Sequence, residues 1–292
     1  MDSINQQIAL ELKAPEAHVN NVIRLLDEGN TIPFIARYRK ELTGSMDDQL
    51  IRALAARLEA LRNLEAKKEE ITRLIDEQGK LTDELTEKIR NAQTLTELED
   101  IYRPYRPKRK TRASVAREKG LEPLAQLIFS QDFPGNIYEE AEKYISEEKG
   151  VSTADDAVAG AKDIIAEDIS DNADYRKGVR RLTYMNGFIV SKAGKEENSV
   201  YKMYHEFSEP VKSVADHRIM AMNRGEKENA LIVKIDIESE VVLEYLRRNT
   251  VVQNGKNTAL VCEAVEDSYK RLIAPSIETE IRNSLTERAE AS

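Results

Sequence analysis

DDQLIRALAARLEALRNLEAKKEEITRLIDEQ, residues 47–78, decides the fold class. Leu50, Leu54, Leu58, Leu61, Leu64, Ile71, Leu74 and Ile75 recur mostly at three- and four-residue steps, the period of one buried helix face. Asp47 stands where an N-cap is needed, and Gly79 stands where the helix must end. Glu and Lys fill much of the other face, with Glu65 and Lys68 in helical reach of one another. Lys68 interrupts the apolar stripe, so no strict heptad is kept, and the spacing predicts packing inside a bundle rather than a coiled coil.

The same period extends to either side. Ile4, Ile8 and Leu12 predict a helix over 4–13, and Pro15 opens a second that runs to about Glu28. Pro33 opens a third, PFIARYRKEL. Beyond Gly79, Thr82 starts another helix, and Thr94–Glu97 has the spacing of a capping box. Helices are expected at about 121–131 and 137–148, then a long one from about 154, broken near Gly178 or Gly187. The character changes after Gly194. ALIVKIDI (230–237) is short and β-branched and reads as a strand, while HRIMAMNRGEKEN before it fits either a helix or a hairpin partner. Helices return at about 239–248, 257–272 and 275–290. The expected fold is mainly α: a multi-helix bundle with a helix-turn-helix-like part and a short β element near 228–238. Two parts are expected, a helical region 1–195 and a smaller mixed part 196–292.

Bulk composition narrows the function classes. Of 292 residues, 40% are hydrophobic and 33% charged, which is enough for a core beneath a highly charged surface. No stretch approaches the ~20 apolar residues that span a bilayer, and the N-terminus lacks the basic and apolar regions of a secretion signal. A cytoplasmic protein with no membrane partner is expected. The single cysteine, Cys262, sits in apolar ALVCEAV and reads as a small buried hydrophobe. His18, His205 and His217 form no metal-ligand pattern, and no nucleophile elbow, P-loop or dinucleotide fingerprint is present. We therefore expect no catalytic residue, no metal, no cofactor and no small-molecule substrate, which reads as a non-enzyme.

Charge is unevenly spread along a chain of net −9. Residues 1–100 hold 14 Lys/Arg against 20 Asp/Glu, and residues 126–292 hold 22 against 31. Residues 101–125 reverse the balance, with 8 against 2. The source is RPYRPKRKTRAS (103–114) together with the start of the next helix. It holds Arg103, Arg106, Lys108, Arg109, Lys110 and Arg112, and Arg117 and Lys119 come just after. Arg forks suit phosphate oxygens, and Pro104 and Pro107 limit the freedom lost when such a segment is held. Tyr102 and Tyr105 could stack on bases or pack inward. Composition leaves two readings open: these cations contact the phosphates of a nucleic acid, or they bridge acidic helices of their own chain. Weaker candidates are Arg37, Arg39 and Lys40, on the second arm of the helix-turn-helix-like stretch 15–41. Phe34, Ile35 and Tyr38 share that short arm, which favours a structural hairpin.

Three motifs, IPFIARYRKELTGSMDD (32–48), DIYRPYRPKRKTRASVAREKGLEPLA (100–125) and HRIMAMNRGEKE (217–228), closely resemble the Tex family of bacterial transcription accessory proteins, in family order. The resemblance implies a mainly helical N-terminal region with a helix-turn-helix-like part, followed by an RNase H-like domain, helix-hairpin-helix elements and an S1 domain. It implies nucleic-acid partners, RNA or DNA, with little sequence reading, association with the transcription machinery, and no established catalysis. On that pattern the chain is expected to be an N-terminal piece, which either binds nucleic acid itself or positions the downstream domains.

Overall fold

The computed structural model describes residues 4–196 and 199–291, and among them helix dominates. The chain divides into two compact units, Met1–Tyr102 and Arg103–Ser292. The change of composition near residue 195 lies inside the second unit, where a strand on one side of it pairs with strands on the other.

The first unit contains α1 (Ile4–Leu12), α2 (Glu16–Asp27), α3 (Ile32–Tyr38), α4 (Lys40–Thr43), α5 (Asp48–Glu77), α6 (Asp83–Asn91) and α7 (Leu95–Tyr102). The long helix begins as expected: the Asp47 side chain accepts from the Leu50 N–H at 2.8 Å. Its buried face carries Ile51, Leu54, Leu58 and Leu61 against Ile8, Val19, Val22 and Ile35. Each such side chain contributes about 1.5–3 kcal/mol on leaving water. Lys68, the break in the stripe, is buried with its head satisfied. Its Nζ donates to the Glu65 carboxylate and to the Arg90 carbonyl, both at 2.9 Å, and so fills an open acceptor in the last turn of α6.

PFIARYRKEL is not one helix. The backbone leaves helical geometry at Arg39 (φ −131°, ψ 32°), which separates α3 from α4. The Arg39 guanidinium lies 5.2 Å from the Phe34 ring centre and donates to the Tyr38 carbonyl at 3.2 Å. Gly44 then ends α4 in the left-handed region (φ +65°), and a Cβ there would stand 2.2 Å from His18 Nδ1.

The second unit contains α8 (Arg112–Glu118), α9 (Glu122–Ser130), α10 (Ile137–Glu142), α11 (Ala154–Asp171) and α12 (Ala173–Asn186), then a small sheet, then the last helices. The sheet has β1 (Phe188–Ala193) at its centre, antiparallel to β2 (Glu206–Pro210) and to β3 (Leu231–Asp236). The expected strand is β3, and it alternates cleanly, with Leu231 and Val233 inward and Ile232 and Lys234 outward. α13 (Asp216–Lys227) precedes it, so HRIMAMNRGEKEN is a helix. α14 (Ser239–Thr250) and α15 (Thr258–Asp267) come next, and a π-helical turn (Ser268–Ile273) leads directly into α16 (Ala274–Ala291).

α16 closes the outer edge of β3. The Ile235 N–H donates to Glu278 at 2.9 Å, and Arg282 donates to the Val233 carbonyl at 2.9 Å. Those strand groups would otherwise offer a template for another chain. Of the two breaks expected, Gly187 ends α12 as its C-cap, but nothing breaks at Gly178; a further break falls at Asn172, whose side chain caps α12 by accepting from the Tyr175 N–H at 3.0 Å. Gly178 serves packing: a Cβ there would meet the Tyr245 hydroxyl at 2.0 Å. Arg176, fully buried, hydrogen-bonds to Ser276 and to one oxygen of Glu280, while Arg180 takes the other at 2.8 Å. One carboxylate thus joins α12 to α16. Cys262 is half-buried rather than buried.

Candidate nucleic-acid interface

The basic segment begins with a 3-10 turn, Arg103–Tyr105, and runs as irregular chain through Pro107 to the start of α8. Prolines at 104 and 107 prevent a helix from propagating through it. Thr111 restarts helix with a reciprocal cap: its hydroxyl accepts from the Ser114 N–H at 3.0 Å, and Ser114 Oγ accepts from the Thr111 N–H at 2.8 Å. The segment is therefore a short ribbon fixed between two helical turns.

Its flanks are tied to α11 of the same unit. Glu167 and Asp171, one helical turn apart and with side chains only 10% exposed, receive three of the cations. Arg103 meets Asp171 at 3.2 Å, Lys108 pairs with Asp171 and with Glu167, and Arg117 meets Glu167 at 2.9 Å. Arg117 also reaches Asp168 at 2.7 Å and Glu122 at 2.8 Å. Burial works against the charge on Glu167, but Arg117, Thr111 and Lys108 outweigh it and hold the carboxyl below its ordinary range. Burial likewise opposes the Arg117 charge, and the carboxylates around it more than restore it. At least three of the eight candidates, Arg103, Lys108 and Arg117, therefore work inside the molecule, as partly desolvated pairs that break at a cost.

The remaining candidates lie differently. Arg106, Arg109, Lys110 and Arg112 are exposed. Among the described residues no carboxylate is in ion-pair contact with Arg109, Lys110 or Arg112, although the Arg112 charge is felt by Asp163 and Asp267. Lys119 is half-buried. Tyr102 is buried and Tyr105 half-buried, so at least the first packs inward.

The acids that anchor the ribbon are not evident from the sequence, because they lie 50–68 residues away from their partners. The signal that could have found them is AEDISD (166–171), three carboxylates on the last turns of one helix. The weaker candidates belong to the first unit. Arg37 and Lys40 are exposed, Arg39 is folded back on Phe34, and Ile35 is buried. Among the described residues no group of three or more His, Cys, Asp or Glu could hold a metal ion, and no helix is long and apolar enough to cross a membrane.

Comparison with known proteins accords with this architecture. Residues 2–76 match the Tex-like protein N-terminal domain, and residues 136–292 match the Tex central region-like family, more than half of the chain. The chain belongs to the Tex family. Tex-family relatives include YdcI of Bacillus subtilis, 49% identical over 98% of the chain, and the protein Tex of Bordetella pertussis, 41% identical over 82%. A human protein named S1 RNA-binding domain-containing protein 1 is 32% identical over 92% of the chain. The chain spans about two fifths of the Bacillus protein (41%), 30% of the Bordetella protein and 28% of the human one.

Proposed function

We propose that this Tex-family chain is a nucleic-acid-binding module that grips phosphates, with little sequence reading, through the outward half of its basic ribbon. The observation that carries the proposal is the division of labour within the ribbon. Arg103, Lys108 and Arg117 hold it to α11, while Arg109, Lys110 and Arg112 stay outside ion-pair contact and face solvent. A segment needed only as internal cement would have its cations consumed. A pre-held cationic ribbon loses little freedom on meeting a polyanion, and the net negative charge elsewhere directs that polyanion to this one patch. The ion pairs favour a second, compatible role, in which the ribbon stiffens a scaffold that positions other domains of a transcription accessory protein in the cytoplasm.

The test is charge reversal of the outward half alone. Arg109→Glu, Lys110→Glu and Arg112→Glu together should abolish binding of a fluorescent oligonucleotide while the unfolding midpoint stays within a few degrees. Unchanged affinity removes the binding role and leaves the scaffold.

A further inference from the structure

A pocket of about 190 Å³ lies between α9 and α11 and reaches the start of α12. Its base is apolar and buried, with Ala125, Ile165 and Ile169. Phe129 and Tyr175 stand at its sides. The Tyr175 hydroxyl donates to the Asn249 carbonyl at 3.2 Å, which fixes that ring, whereas Phe129 is 39% exposed. The Gln131 amide donates to the Phe129 carbonyl at 3.2 Å, and its oxygen accepts from the Val252 N–H at 2.9 Å. Val252 is exposed too, so a second apolar side chain stands at the pocket's end of α9. Two carboxylates complete the rim, Glu122 and Asp168. Arg117 reaches both, at 2.8 and 2.7 Å, and is their only ion-pair contact among the described residues. The same guanidinium also serves Glu167, so the rim keeps a surplus of negative charge. Asp168 is open to water at the pocket mouth but surrounded by packed protein. That burial, with the charges of Glu122, Asp171 and Glu167, raises its pKa to about 6 against the pull of Arg117.

We infer that this pocket docks a basic segment of a partner protein, seating one large apolar side chain on Ile165 and Ile169 and a neighbouring Lys or Arg between Glu122 and Asp168. The inference is independent of the ribbon, whose proposed ligand carries the opposite charge. The volume falls below the ~300 Å³ at which small-molecule sites begin and suits a single anchoring side chain. Phe129 and Val252, exposed beside it, give a chain that continues past the anchor further apolar surface to cover. The two carboxylates share one cation, so an incoming ammonium or guanidinium completes a pairing that the fold leaves short, while a polyanion is turned away.

The experiment follows the isoleucine methyl signals of the whole 292-residue chain by NMR. The titrant is a synthetic octapeptide with Phe-Leu set between Lys and Arg and Gly-Ser at each end, and a twin carries Glu in place of both basic residues. The basic peptide should shift the Ile165 and Ile169 methyl signals to saturation, and the acidic twin should bind roughly tenfold more weakly. Phe129→Ala, at an exposed position, should weaken the basic peptide about fivefold. Asp168→Asn should weaken it by a similar factor without lowering the unfolding midpoint, because the fold disfavours that charge. A lowered midpoint with unchanged affinity would assign Asp168 to the internal ion pairs alone and overturn the inference. So would equal binding of the two peptides, or no shift of either methyl signal at ~1 mM peptide, the weak end of measurable affinity.

Discussion

Arg117 and Glu167 meet at 2.9 Å, fifty residues apart in sequence, and join α8 to α11. The pair gives part of the basic segment an internal role. Glu167 has a side chain only 10% exposed, so its charge depends on Arg117 and Lys108 for compensation. With Asp171 it turns an otherwise free ribbon into a fixed one.

Removing those acids should therefore loosen the ribbon without removing a single cation. We expect Glu167→Gln with Asp171→Asn to cost about 2–4 kcal/mol in denaturant unfolding. Trypsin cleavage within 106–112 should accelerate at least several-fold under native conditions. A cleavage rate equal to that of the unaltered chain would show that the ion pairs do not hold the segment.

A second buried charge lies at Arg176. Glu280→Gln removes the carboxylate it shares with Arg180 and should destabilise the second unit by about 3–5 kcal/mol. Burial alone would raise the Glu280 pKa, but Arg180 and Arg176 hold it below the ordinary value. A carboxyl depressed in the fold contributes stability that is present above its unfolded pKa and lost as pH falls through the folded one. The gap between the unaltered chain and Glu280→Gln should therefore be full at pH 7 and shrink below about pH 4.5. A gap that stays constant between pH 7 and pH 3 would contradict the pairing.

At Gly44 the backbone conformation and the neighbour act together. Gly44→Ala should cost the first unit about 1–2 kcal/mol, part from the left-handed φ and part from the 2.2 Å approach to His18. His18→Ala in the same background should recover part of the loss, and the double-mutant cycle separates the two causes. Full additivity would mean that the ring simply swings away.

Particular residues show how far the sequence could be read. Asp47, Thr82 and Thr94 cap helices where their spacing places them, because a cap is a local match between a side chain and the next three N–H groups. β3 was legible from its β-branched run. β1 was not: FIVSKA is a single short stretch between a helix and a polar turn, and it becomes a strand only because β2 and β3 pair with it on both sides. The kink at Arg39 was likewise hidden, since nothing in PFIARYRKEL forbids a continuous helix. In the candidate interface, the cations were visible as a run. Which of them are occupied was not, because their partners on α11 come near only through the fold.

The most direct test of the central claim is the salt dependence of single-strand binding by the unaltered chain and by Arg109→Ala, Lys110→Ala, Arg112→Ala. With three phosphates contacted through these side chains, the log–log slope should flatten by about 2, at ~0.7 per contact, with little change in unfolding free energy. A slope identical in the two proteins would mean that the outward half of the ribbon meets no phosphate, and the account would fail.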